Sequence, residues 1–164
     1  MSLRNVASRR RSRRTIPRRI HRHSAAGVAR AAPGRWTPRM SDPQTYPYVT
    51  RLDIRFAPLE LIDEKAFTDA VPHKWFNQSL CLVNDSVVRV GVVEGEYHWH
   101  KHDADDEFFY VVEGLFHIDL EGRTVTLKPR QGIVIPKGVM HRPRAPQRTV
   151  ILMVETKSIV PTGS

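Results

Sequence analysis

The chain is 164 residues long, carries 26 Lys and Arg against 17 Asp and Glu, and has one cysteine, Cys81. That length suits one domain with a proper core and is short for two. A single cysteine rules out an intrachain disulfide and a cysteine-built zinc knot, and no apolar run approaches the about 20 residues of a membrane-spanning helix.

The net charge of +9 is unevenly placed. Residues 1–39 hold 12 arginines and no Lys, Asp or Glu, whereas residues 40–164 hold 14 Arg and Lys against 17 acids, a net of −3. With like-sign charge, prolines and no apolar periodicity, residues 1–47 are predicted to be a disordered basic tail. Three readings of it compete: a basic arm for nucleic acid, an Arg- and Ser-rich, acid-free organellar transit peptide, or upstream sequence preceding a working start at Met40. A signal peptide is excluded, because no apolar stretch follows the arginines. No nucleic-acid contact is expected outside the tail.

The folded domain is expected over residues 48–164, with a cytoplasmic location. YVTRLDIRF alternates as a strand from Tyr48, and Leu59, Ile62, Ala66 and Ala70 fall at helical spacing before Pro72. After that come SVVRVGVV, EYHWHKH, EFFYVVE, LFHIDL, RTVTL, GIVIP and RTVILMVE. These are short, β-branched and aromatic-rich, with Gly, Pro or charged turns between them. The pattern reads as an all-β sandwich or barrel with one short N-terminal helix.

In a strand, residues two apart share a face, so His98, His100 and His102 project to one side while Tyr97, Trp99 and Lys101 face the other. Imidazoles roughly 6.5–7 Å apart at Cα can converge on one ion. Four carboxylates follow. Asp103, Asp105 and Asp106 have turn surroundings, while Glu107 opens a strand and shares its face with Phe109 and Val111. A fourth ligand is offered by His141, just after the Pro136–Gly138 turn.

His100-x-His102-x4-Glu107-x6-Gly114, followed by Pro136-x-Gly138-x2-His141, resembles the two motifs of the cupin superfamily. WHKHDADDEFFYVVEG and the ending VETKSIVPTG resemble single-domain cupins of the mannose-6-phosphate isomerase-like kind. The resemblance covers roughly residues 84–157. It implies a jelly-roll β-barrel holding an ion on His100, His102, Glu107 and His141. The implied ion is one divalent transition metal, with Mn, Fe, Ni, Co, Cu and Zn all compatible with three imidazoles and a carboxylate. It further implies a small-molecule ligand or substrate, isomerase or oxygenase chemistry or else a non-catalytic binding or sensor role, and a homodimer, for which the Tyr97/Trp99 side is a candidate face. The chain departs from the motifs at Glu94, Arg130 and Ala145, positions that concern turns and the pocket rim. Taking His98 and His100 as the pair fails, because Ala104 or Asp105 would then stand where Glu is required.

His98 and His117 are read as structural, Phe108, Phe109 and Tyr110 as core, Arg142 and Arg144 as solvated surface, and Cys81 as a small buried apolar residue.

Overall fold

The computed structural model describes residues 47–164. The tail readings for residues 1–46, including the start at Met40, lie outside the described residues. In chain order the elements are β1 (Val49–Arg51), α1 (Glu64–Asp69), β2 (Trp75–Val83), β3 (Ser86–Glu96), β4 (Glu107–Glu113), β5 (Phe116–Leu120), β6 (Arg123–Leu127), β7 (Gly132–Ile135) and β8 (His141–Thr156).

All eight strands join one sheet in the order β1-β2-β3-β8-β4-β7, with β5 bridging β8 and β6. The long β8 is the spine. Its first residues pair with β5, and its later ones lie between β3 and β4. The sheet curls around an apolar interior in the jelly-roll manner. The expected barrel does not close, because β7 pairs only with β4 and β6 only with β5. Among the described residues no helix is long and apolar enough to cross a membrane.

Three sequence expectations are corrected. The strand over YVTRLDIRF shrinks to Val49–Arg51, paired in parallel with β2. The helix begins only at Glu64, because Asp63 caps it by accepting from the Ala66 N–H (2.9 Å) and Leu59 has φ +73°, which a helix cannot hold. A strand absent from the sequence reading, β2, is buried over Trp75–Leu80 on both faces. It therefore lacks the alternation that marks a half-buried strand, and Asn77, Gln78 and Ser79 disguise it further. Gln78 meets burial by donating from Nε2 to Asp53 O (2.6 Å).

Two apolar clusters form. The inner one gathers Trp75, Val93, Phe109, Phe116, Ile118 and Ile151 among others. The outer one sets Leu80, Val90 and Val150 against Phe56, Ile62 and Phe67, beneath α1. Gly114 ends β4 at φ +90°, and a Cβ there would run into Thr149, whose hydroxyl accepts from Leu115 N and donates back to Leu115 O, both at 3.1 Å. This is the physical content of the motif glycine: close backbone approach at a left-handed turn.

Candidate metal centre

Regular pairing in β3 stops at Glu96. Residues 97–102 do not form the strand expected over EYHWHKH, and an isolated antiparallel bridge, His100 to His141, is what interrupts the irregular path from 97 to 106. That bridge is reciprocal. His100 N donates to His141 O (3.0 Å), and His141 N donates to His100 O (2.9 Å). The second motif clasps the first again where Gly138, at φ +77° in its turn, donates to His102 O (2.7 Å). Glu107 opens β4, whose alternating burial puts Glu107, Phe109 and Val111 inside.

These connections bring His100, His102, Glu107 and His141 together, all buried, with one ligand atom from each within 4.8 Å of the others. Glu107 Oε2 lies 3.2 Å from His141 Nε2 and 3.5 Å from His102 Nε2, and that buried His102 nitrogen has no hydrogen-bond partner among the described residues. Nδ1 of His141 donates to Val139 O (3.0 Å) and Nδ1 of His100 to His98 O (3.1 Å). Carbonyls can only accept, so each of these rings carries its proton on Nδ1, which leaves Nε2 for a ligand role.

Burial, reinforced by His141 beside it, pushes His100 down to about 3, so its imidazole is neutral at ordinary pH. Burial alone would raise Glu107, but the His102 and His141 rings beside it outweigh burial and hold the carboxyl below the usual range. Three converging imidazoles beside a carboxylate, with an orphaned ring nitrogen among them, form a donor set that fits a divalent transition ion.

A cavity of about 30 Å³ adjoins His100 and Glu107 and is walled by Trp75, Asn77, Tyr97 and an ion pair that sequence reasoning missed. Arg89 Nε stands 3.0 Å from Glu155 Oε2, with the two side chains only 3% and 2% exposed. Burial and the Glu107 charge drive the Glu155 carboxyl above its usual range, against the pull of Arg89. The signal was present in the strands: one arginine inside SVVRVGVV and one glutamate ending VILMVE, both charges in otherwise apolar runs.

The remaining candidates fall outside the cluster. His98 is half-buried, ring-to-ring with Tyr97 (4.3 Å), and donates from Nε2 to Thr162 O (2.8 Å). His117 bonds Thr126 through Nδ1 (2.9 Å). Asp105 and Asp106 accept from Thr156 Oγ1 (2.6 Å) and Lys137 N (2.9 Å), and Asp103 pairs with Lys101. Tyr97 is 6% exposed and stacks on Trp75, so the proposed Tyr97/Trp99 outer face does not exist as such. Only Trp99 is exposed there, under the Arg142 guanidinium. Arg142 and Arg144 are not free surface charges, since both donate to Asp119 (2.8 and 2.9 Å). Hydrogen bonds from Arg144 first, then Thr124 and Arg142, hold the Asp119 carboxyl well below the usual carboxylate range. Phe109 is core, while Phe108 and Tyr110 are half-buried on the opposite face of β4. Cys81 is half-buried rather than buried, beside the register shift between Ser79 and Cys81.

A curled jelly-roll sheet enclosing a three-histidine, one-glutamate cluster defines a small β domain with a buried donor set. The cupin domain family model matches residues 86–155. The uncharacterized protein YdbB of Bacillus subtilis (strain 168) is 45% identical over 93 residues, which cover 56% of this chain and 82% of that one. A crystal structure of a cupin-2 domain containing protein from Shewanella frigidimarina shares 32% identity at a TM-score of 0.57, covering 58% of this chain and 94% of that one. Protein NMB1881 from Neisseria meningitidis shares 26% at 0.55, covering 59% and 99%. The chain belongs to the cupin family.

Proposed function

We propose that this cupin binds one divalent transition metal through His100, His102, Glu107 and His141 and works on a small, oxygen-rich molecule as an isomerase or oxygenase. The observation that carries this reading is the convergence of four buried ligand atoms within 4.8 Å. A bound ion would supply Lewis acidity toward a carbonyl or enolate oxygen, or would activate water or dioxygen. The chain's own contribution is preorganisation. Val139 O and His98 O fix ring tautomers, Glu107 brings the negative charge, and Trp75, Tyr97 and Phe109 exclude water from the cavity wall.

A second reading, a metal-binding or sensor module without turnover, is favoured by the cavity size. About 30 Å³ holds an ion's water but no organic substrate until the wall moves. Metal content of the purified chain, measured by mass spectrometry, tests the shared premise and should approach one ion per chain. Turnover of small hydroxy-, keto- or enol-bearing compounds by the loaded protein then separates the two. Binding without product in such a screen selects the sensor.

A further inference from the structure

The histidine-bearing segment poses a structural problem. Residues 97–102 leave the sheet at Glu96 and are held on one side by Pro143 O, His141 and Gly138. Two ligands on irregular backbone need a second support if their rings are to keep one geometry.

The other side is covered by the segment after β8. Ile159 is 5% exposed and anchors it, and Gly163 N donates to Val160 O (2.9 Å) in a tight turn. From there, each polar contact reaches the histidine segment between or beside the ligands. Pro161 O accepts from Tyr97 Oη (3.2 Å), and Thr162 O accepts from His98 Nε2 (2.8 Å). Ser164 N donates to Lys101 O (3.0 Å), and Asp103 N reaches Ser164 Oγ (3.4 Å). Gly163 lies flat on His100. A Cβ there would stand 2.8 Å from His100 Cβ and 3.1 Å from Lys101 O, at a φ of +93° that already favours glycine. Pro161 also walls the cavity beside His100 and Glu107.

We infer that Ile159–Ser164 is a positioning strap that sets His100 and His102 in ligating geometry. This inference rests on the metal reading above and adds residues outside both motifs to it. Apart from Ser164 Oγ the strap acts through backbone groups, so side-chain identity matters at Gly163 and hardly at Thr162.

Cobalt(II) titration of the full chain, followed by visible absorption, tests the inference against Gly163→Val, deletion of Pro161–Ser164, and Thr162→Ser. The metal-free melting temperature of each variant is recorded alongside. Gly163→Val and the deletion should weaken cobalt binding about 10- to 100-fold, the range for losing an outer support of a ligand, and should shift the ligand-field bands. Thr162→Ser should match the parent chain. A folded deletion variant with parental affinity overturns the strap, as does weakened binding with unchanged bands. Should Gly163→Val not fold, the deletion variant decides alone. Absence of cobalt uptake by the parent chain overturns the metal reading itself, and the strap with it.

Discussion

The two faces of the β3–β8 pair solve opposite problems with neighbouring residues. On the outer face Val90 and Val150 meet Leu80 and the aromatic rings of Phe56 and Phe67, and the charge set over Phe56, the Arg55 guanidinium, belongs to an exposed residue. On the inner face Val93, Ile151 and Met153 share their wall with Arg89, Glu155, His100 and Glu107. Burying such polar and ionisable groups is costly unless each is paired, and pairing returns only part of the cost. The outer cluster has no such burden, so apolar burial there can offset what the inner face spends on chemistry. The lesson is separability: one pair of strands carries stability on one side and a reactive cluster on the other.

The strongest way to break that comparison is to remove ligands. His102→Ala with Glu107→Ala should abolish metal retention, read by metal analysis after gel filtration, while circular dichroism of the β domain stays largely unchanged. Collapse of the fold would make the cluster a structural element and the two faces inseparable. Next in size, Leu80→Ala on the outer face should cost about 2–5 kcal/mol in denaturant unfolding, since Leu80 is 2% exposed. Metal stoichiometry should not change. A folded variant that lost its metal would show the faces to be coupled.

Proton linkage gives a smaller, graded effect confined to the inner face. His100 binds its proton less tightly when folded, with its pKa lowered from 6.5 to about 3. Its contribution to stability is therefore complete above 6.5 and is lost as pH falls toward 3. Glu155, raised on folding, works in the opposite sense: its contribution is present below its unfolded value and is lost as pH rises. Comparison with His100→Gln isolates the histidine. Below pH 6.5 the metal-free parent should lose about 1.4 kcal/mol per pH unit relative to that variant. Parallel stability curves for the two chains would remove burial of a neutral His100 from the account.

The smallest effect belongs to residues 1–39. Twelve uncompensated arginines offer no apolar surface for docking, so deleting them should leave the melting temperature unchanged. If the full chain binds DNA or RNA with steep salt dependence and residues 40–164 do not, the basic arm has a role of its own.

Most strands were legible as short β-branched and aromatic runs between Gly, Pro or charged turns. In EFFYVVE the two faces separate in burial, with residues 107, 109 and 111 inside, but not in the sequence. The spacing of His100, His102, Glu107 and His141 was legible too, through two motifs whose glycines at 114 and 138 both take positive φ. Strand β2 was not, because burial on both sides erases the period. Nor was the inward turn of Tyr97. Parity along a supposed strand sends it outward, but β3 has already ended at Glu96, and the irregular backbone beyond obeys no parity. The Arg89–Glu155 pair depends on strands more than 60 residues apart meeting in register around Val88 and Val154. A single sequence carries no direct mark of that meeting.

The stacked rings at the cavity wall have an optical consequence. Trp75 lies 5.2 Å from Tyr97, and Tyr97 lies 5.1 Å from His100, centroid to centroid. An open-shell ion held by the cluster would sit close enough to that stack to quench the emission of Trp75, whereas closed-shell zinc would leave it bright. In residues 40–164, which lack Trp36, the exposed Trp99 under Arg142 would emit at longer wavelength and serve as the internal reference. The colour and intensity of the protein's own ultraviolet fluorescence would then report which kind of ion it carries.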